Sequence, residues 1–211
     1  MRVNTINGLL FTALTAISIL ACSQSTKKDR IVGGRCEGCE AALEFGSEKL
    51  NAIDTLPDFG DKGTKLLVTG TIFKQDGKTP AENVILYIYH TNQEGIYPTK
   101  GNEKDWGRRH GYIRGWVKTG KDGRYTFYTL RPAAYPGREA PEHIHATIKE
   151  EGLTPYYIDD YLFDDDPILT KDHRDEQRGR GGNGIVKPET NANGIYQVTR
   201  NITLGRNIEG Y

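Results

Sequence analysis

The sequence predicts an all-β fold, organised as a single β-sandwich domain with long loops and little helix. Two observations support this prediction. The chain of 211 residues contains 12 tyrosines, 25 glycines and 9 prolines, a composition that favours strands and turns over helices. Short runs of apolar or alternating residues are separated by turn residues along the chain, as they are in a sandwich.

The runs predict the strands in order. Lys65–Phe73 alternates between apolar and polar residues, as a half-buried strand does. Val84–His90 is a β-branched and aromatic run and is the strongest strand signal in the chain. The other predicted strands are Tyr112–Lys118, Tyr125–Thr129, the strand around His143 and His145, Tyr156–Phe163 and Ile195–Leu204. One short helical turn within 40–50 and long loops at 91–111 and 164–183 complete the prediction.

The first 22 residues have the features of a bacterial export signal. Arg2 precedes the uncharged apolar run Leu9–Leu20, which is shorter than the ~20 residues of a transmembrane helix. Ile19–Cys22 (ILAC) resembles a lipobox, which predicts that Cys22 carries a lipid and anchors the chain to a membrane. In a Gram-negative cell, Ser23 after the cysteine is typical of sorting to the outer membrane. The alternative is an ordinary cleaved signal with a chance cysteine.

The domain is predicted to span residues 36–211, after a polar spacer at 23–35. The formal net charge is zero, with 28 Lys and Arg against 28 Asp and Glu, and no basic stripe that would indicate a nucleic-acid partner. The basic run that begins at Arg178 is interpreted as a solvated loop.

Two further cysteines, Cys36 and Cys39, lie in the segment RCEGCE. Because an exported compartment is oxidising, they are predicted to form a disulfide. Half of a zinc site and a thioredoxin-type redox motif are the alternatives. The zinc site would need a second ligand pair, and the redox motif a preceding strand.

The segment HIH contains the clearest candidate for chemistry. Residues i and i+2 of a strand point to the same face, so His143 and His145 can approach one point while Ile144 faces the opposite way. Tyr135 arrives from the preceding turn. Imidazole together with a phenolate oxygen suits iron better than a metal that prefers thiolates. The alternative is a strand with two incidental histidines.

Four segments in this order resemble a known family, the intradiol ring-cleavage dioxygenases. They are GTIFKQDGKTPAENVILYIYHTNQEGIY, IRGWVKTGKDGRYTFYTLRPAAYP, PEHIHATI and LTPYYIDDYLFDDDP, and the resemblance covers roughly 66–167. It implies an iron(III) enzyme of aromatic catabolism that uses O2 to open a catechol-type ring and gives a cis,cis-muconate-type product. By position, the implied iron ligands are Tyr97, Tyr135, His143 and His145. The implied catalytic role of Tyr135 is to leave the iron when substrate binds and to accept a substrate proton.

One position departs from the family pattern. The family has an arginine three residues before the first histidine, where it stabilises negative charge on the activated ring, and this chain has Ala140. Arg138, two residues earlier, is the candidate replacement and the second predicted catalytic residue. The departure leaves two alternatives to ring cleavage: an iron-containing surface protein that only binds catecholates, and a non-catalytic β-sandwich binding module.

The remaining polar residues receive structural interpretations. Glu142 is expected to point away from the iron because of strand alternation, and Arg114 to be structural. The acidic turn at 164–166 is interpreted as solvated rather than as a calcium site. Three further histidines are interpreted as surface or supporting residues that do not bind the metal: His90, His110 and His173.

Overall fold

The computed structural model describes Met1 and residues 28–137 and 140–211. The strands are β1 (Ile53–Thr55), β2 (Lys65–Phe73), β3 (Ile85–His90), β4 (Arg114–Lys118), β5 (Arg124–Leu130), β6 (His143–Lys149), β7 (Tyr156–Phe163), β8 (Ile185–Val186), β9 (Glu189–Thr190), β10 (Tyr196–Thr199) and β11 (Ile202–Thr203). The helical elements are a 3-10 helix (Cys39–Leu43), α1 (Gly107–His110) and α2 (Lys171–Asp175).

The strands form two sheets, so the prediction of an all-β sandwich is confirmed. One sheet has the order β1-β5-β2-β10-β9, with β11 also paired to β2, and the other has the order β4-β3-β6-β7-β8. Strand β2 shows why the layers form. Its residues alternate between buried and half-buried, and Leu66, Val68 and Ile72 are fully enclosed. This alternation buries one face of β2 in the core between the sheets.

The last predicted strand, Ile195–Leu204, divides into β10 and β11. The division occurs beside Gly70 on β2, where a Cβ atom would lie 1.8 Å from the carbonyl oxygen of Arg200. That oxygen also accepts a hydrogen bond of 2.7 Å from the Tyr125 hydroxyl in the core. The chain therefore bends inward at Arg200 and interrupts the ladder.

The segment before the first strand covers the outer face of the five-stranded sheet. Cys36 and Cys39 are joined by a disulfide with a Cα–Cα distance of 5.6 Å, and the 3-10 helix begins at Cys39. Ala41 is fully buried, and its carbonyl oxygen accepts a hydrogen bond of 3.0 Å from the Trp116 indole. Arg114 forms an ion pair of 2.6 Å with Glu44, which agrees with its structural interpretation.

The structure describes residues 28–35 of the predicted spacer at 23–35, and this part packs against the domain instead of lying outside it. Arg30 pairs with Leu153 in an isolated β-bridge, and Val32 is buried in the main core. Packing against the core draws this polar segment into the domain. The predicted export signal at 1–22, with the lipidation candidate Cys22, lies outside the described residues apart from Met1. Over the described part of the chain, no helix has the length and apolar character to cross a membrane.

Candidate metal centre

Strand β6 holds the two histidines as the alternation predicts. Ile144 is fully buried in the core, whereas His143 and His145 occupy the outer face. Their Nε2 atoms lie 3.2 Å apart. The Nδ1–H group of His143 donates to the carbonyl oxygen of Pro141 at 2.7 Å, and that of His145 to Asp160 on β7 at 3.1 Å. Because each Nδ1 is occupied, each Nε2 lone pair is directed at the same point.

Two tyrosines complete the cluster. The Tyr97 hydroxyl lies 2.8 Å from Nε2 of His145 and 2.5 Å from the Tyr135 hydroxyl. The Tyr135 hydroxyl in turn lies 3.2 Å from Nε2 of His143. The structure therefore brings together all four ligands that the family resemblance implies, from two loops and one strand.

The two tyrosine-bearing loops are packed against each other backbone to backbone. The side chain of Asn92 accepts hydrogen bonds from the backbone N–H groups of Glu94 and Ile96, which shapes the turn before Tyr97. Gly95 has a φ of 74°, and a Cβ atom there would lie 2.1 Å from the carbonyl oxygen of Ala134. Only glycine permits this approach.

The donor set fits a ferric ion. Nitrogen and oxygen atoms that bind one first-row metal ion at ~2.0–2.1 Å lie ~3 Å from one another, which is close to the spacings found here. Burial lowers the pKa of His143, which keeps its imidazole neutral and its Nε2 lone pair available. Burial, together with the neighbouring Tyr135, raises the pKa of Tyr97, so its phenolate form needs a cation nearby. Two phenolate oxygens and two imidazoles suit iron(III).

Asp160 is a supporting residue that the sequence interpretation missed. Among the described residues, Asp160 with His143 and His145 forms the one group of three His, Cys, Asp or Glu side chains whose ligand atoms lie within 4.8 Å of one another. Its carboxylate contacts Nδ1 of His145, on the side of the ring opposite to Nε2. Burial acts to raise the pKa of Asp160, but the attraction and hydrogen bond of His145, together with His143 and Arg200, bring the pKa below its usual value. Asp160 therefore orients His145 as an ionised acceptor.

An aromatic stack supports the same ligand from the side. Tyr89 is the ladder partner of His145, and their ring centroids lie 4.5 Å apart. His110 stacks on the other face of Tyr89 at 3.8 Å, with the ring planes 4° apart, and bonds the Tyr87 hydroxyl through Nδ1 at 2.8 Å. The predicted loop 91–111 thus contributes a buried histidine. Only the pairing of β3 with β6 could have identified Tyr89, since its sequence run indicates a strand and nothing more.

Of the two interpretations of His90 and His110, surface or supporting residue, the structure excludes the surface one. His90 and His110 are buried, because β3 and the loop that follows it are enclosed by the opposite sheet and by the 3-10 segment. Neither belongs to the ligand cluster. His173 is half-buried on α2, and its Nδ1–H donates to the carbonyl oxygen of Ile168 at 2.9 Å.

The charged residues near the ligand strand neutralise one another. Glu142 forms an ion pair of 2.6 Å with Arg131, which accounts for its orientation away from the ligands. Arg131 also pairs with Asp165 at 2.8 Å, and Asp164 pairs with Arg174 at 2.6 Å. Asp164 and Asp165 are therefore exposed and matched by arginines. Asp166 corrects the solvated interpretation of this turn, because it is buried and accepts hydrogen bonds from the backbone N–H groups of Glu142 and Ile168. Arg138, the predicted catalytic arginine, lies outside the described residues.

The chain matches known proteins over most of its sandwich. A family model described as "Dioxygenase" matches residues 44–173. A hydroxyquinol 1,2-dioxygenase from Rhizobium sp. (strain MTP-10005) is 33% identical over 130 residues, which cover 53% of this chain and 41% of the relative. Catechol 1,2-dioxygenase 1 from Acinetobacter lwoffii is 30% identical over 149 residues, which cover 66% of this chain and 45% of the relative.

Solved structures share the fold. The dioxygenase domain of a dioxygenase carbohydrate-binding protein fusion from Streptomyces sp. SirexAA-E superimposes with a TM-score of 0.54 at 23% identity, covering 76% of this chain and 94% of that one. Wild-type catechol 1,2 dioxygenase from Acinetobacter radioresistens gives a TM-score of 0.54 at 16% identity, covering 74% and 58%. The chain spans about half the length of the curated relatives above. Since the family model matches more than half of the chain and the two-sheet fold agrees, this protein belongs to the intradiol ring-cleavage dioxygenase family.

Proposed function

We propose that this protein is an iron(III)-dependent intradiol dioxygenase. It inserts both atoms of O2 into a catechol-type aromatic to give a cis,cis-muconate-type product, as a step in aromatic catabolism. The observation that carries the proposal is the convergence of two tyrosine oxygens and two histidine nitrogens on one point, with spacings of 2.5 to 3.2 Å. Relatives named as hydroxyquinol and catechol dioxygenases support the same reaction class.

The bound ferric ion would supply the Lewis acidity that activates a catecholate ring toward O2. The protein's own residues perform the remaining tasks. His143 and His145 are held in orientation by Pro141 and Asp160, so they act as fixed neutral donors. Tyr135, on the loop before β6, is the proposed base, and its phenolate oxygen accepts a proton from a substrate hydroxyl. The balance closes without an external reductant, because both oxygen atoms enter the product.

The charge that develops on the ring needs a stabilising group. Ala140 stands at the family's arginine position, and Arg131 is already bound to Glu142 and Asp165. We therefore propose Arg138 for this role. Its replacement in Arg138→Ala should lower kcat by about 10²-fold, whereas Arg124→Ala, at an exposed position on β5, should leave kcat unchanged. If Arg138→Ala retains full activity, the role belongs to another group.

A second candidate function follows from the same position. With alanine at 140, the domain would keep its iron and bind catecholates without cleaving them. One experiment distinguishes the two functions: oxygen uptake and muconate formation are followed with a panel of catechols. Uptake of one O2 per product supports ring cleavage. Binding that changes the visible spectrum without uptake supports the second function.

The metal assignment has its own test. Purified protein should contain one iron per chain and have a burgundy colour from charge transfer between tyrosinate and iron. Adding a catechol without oxygen should shift this absorption. Tyr97→Phe should lose most of the band, and Tyr196→Phe, at an exposed position on β10, should retain it. An iron-replete, colourless protein would contradict the assignment of Tyr97 and Tyr135.

We also propose that the protein is exported and anchored to a membrane by a lipid on Cys22, in the outer membrane if the cell is Gram-negative. The sequence ILAC before Ser23 supports this. Membrane fractionation of cells that express the full chain tests it. Cys22→Ser should release the protein from the membrane fraction, and an unchanged distribution would contradict lipidation.

A further inference from the structure

A chain of buried polar groups lies between the two sheets, beneath the tyrosine-bearing loops. His90, at the end of β3, places Nε2 2.7 Å from the hydroxyl of Thr129 on β5. That hydroxyl lies 3.0 and 3.2 Å from the two carboxylate oxygens of Asp58. Asp58 is 2% exposed, and the other two side chains are fully buried. These three residues form the inter-sheet network.

Counting hydrogen atoms shows what the inter-sheet network must contain. The Nδ1 atom of His90 lies 2.8 Å from the carbonyl oxygen of Thr91, which can only accept, so Nδ1 carries a hydrogen. Thr129 has one hydroxyl hydrogen to give. If it goes to an ionised Asp58, then Nε2 of His90 must carry a hydrogen too. If it goes to His90, then Asp58 must be protonated.

Both arrangements hold one proton more than an ionised aspartate beside a neutral histidine. Without that proton, two lone pairs would face each other at 2.7 Å or 3.0 Å in a fully buried site, which is strongly unfavourable. We propose that Asp58, Thr129 and His90 share this proton and act as positioning residues for the loops that carry Tyr97 and Tyr135.

The surrounding charges are consistent with a neutral network. Asp58, through Thr129, is the titratable group on the side of His90, while His143 and His145 on the neighbouring strand point to the other face of the sheet and act on His90 only through their charge. Burial lowers the pKa of His90, and Asp58 acts in the opposite direction. A buried imidazolium is therefore held only as part of a neutral unit with Asp58.

Hydrogen bonds connect the inter-sheet network to both loops. Thr91, whose carbonyl oxygen is held by His90, donates its hydroxyl to the carbonyl oxygen of Ala133 at 2.6 Å. The backbone N–H of Ala133 donates to the carbonyl oxygen of Asn92 at 3.2 Å. Residues 91–92 lead to Tyr97 and residue 133 leads to Tyr135. The network therefore supports the point where the two loops meet.

The shared proton can be detected from the net charge of the protein, and the experiment needs no metal. In Asp58→Asn the amide N–H can donate to Thr129, and Thr129 can donate to a neutral His90. The variant therefore keeps every hydrogen bond of the network without the shared proton. Wild type and Asp58→Asn should therefore have the same net charge when folded and coincide in native isoelectric focusing. In urea they should separate by about one charge, because the exposed aspartate ionises with a pKa of ~3.9. The control Asp172→Asn, at an exposed position on α2, should separate from wild type in both gels.

A native shift of one full charge for Asp58→Asn, like that of the control, would overturn the shared proton. Failure of Asp58→Asn to fold would also overturn it, since the hydrogen count predicts a fully bonded variant. The chain has a formal net charge of zero, so focusing near neutral pH resolves a single charge.

The positioning role rests on the proposed iron site and is read from iron binding, not from activity. Thr129→Val removes the hydroxyl and should weaken iron binding at least tenfold and shift the tyrosinate band, while Thr129→Ser and Asp58→Asn should behave as wild type. Unchanged iron binding in folded Thr129→Val, or a loss in Asp58→Asn, would overturn the role. If the wild-type chain binds no iron, the proposed function fails while the focusing result stands.

Discussion

The two faces of strand β6 have opposite characters, although they alternate along the same seven residues. The inner face carries Ile144, Ala146 and Ile148, all buried in the core between the sheets. The outer face carries His143 and His145, whose nitrogens meet the tyrosine oxygens. The comparison shows why the two histidine nitrogens have defined positions: the backbone that carries them is held by the packing of the inner face in the core. A slip of one residue would exchange the two sets.

The largest expected effect comes from removing a donor on the outer face. His145→Ala should lose iron and lower kcat by at least ~10³-fold, since the proposed Lewis acid is lost with it, while the protein stays folded. Iron content and circular dichroism measure the two effects. Thr147→Val, at the next outward position on β6, is the control and should keep its iron. A fully active, iron-replete His145→Ala would contradict the metal centre.

Truncation of a side chain on the inner face should lower stability but leave iron binding intact. Ile144→Ala removes buried methyl groups and should lower the free energy of unfolding by about 2–5 kcal/mol, while the folded fraction keeps its iron colour. Urea unfolding monitored by fluorescence measures the change. Ile53→Ala, at a position that is 60% exposed, should change stability by less than about 0.5 kcal/mol. Equal effects of the two variants would show that Ile144 does not support the core.

A smaller effect is expected where the outer face meets β7. Asp160→Asn keeps an oxygen acceptor for Nδ1 of His145 but removes the negative charge, so iron affinity should fall about 10- to 100-fold. Competition with a chelator measures the affinity. Asp172→Asn is the control, because it removes the same charge at an exposed position on α2 outside the ligand cluster. Wild-type affinity in Asp160→Asn would limit Asp160 to a structural role.

The smallest effect concerns the segment that covers the outer face. The disulfide between Cys36 and Cys39 closes a short loop, so the double replacement by serine should cost at most about 2 kcal/mol of unfolding free energy. Thermal unfolding with and without a reductant checks this, because reduced wild type should match the double variant. A larger loss would show that the disulfide supports packing as well as loop closure.

The sequence was sufficient for the parts of the structure that depend on local pattern. Alternation predicted β2 with its observed bounds, an apolar and aromatic run predicted β7 with its own, and the family resemblance implied four residues that the structure brings together. It was insufficient where partners are distant along the chain. Asp160 and Tyr89 reach His145 only through strand pairing. Strand β1 has three residues and pairs with β5 in parallel, so it has too few residues to show a period.

The close contact of Gly95 with the Ala134 carbonyl has a consequence for how this protein can be altered. The two tyrosine-bearing loops share one surface of contact, so neither can be exchanged for a homologous loop without its counterpart. Grafts that aim at a new substrate should transfer both loops as a pair. Insertions in either loop should be better accommodated on either side of this contact than within it.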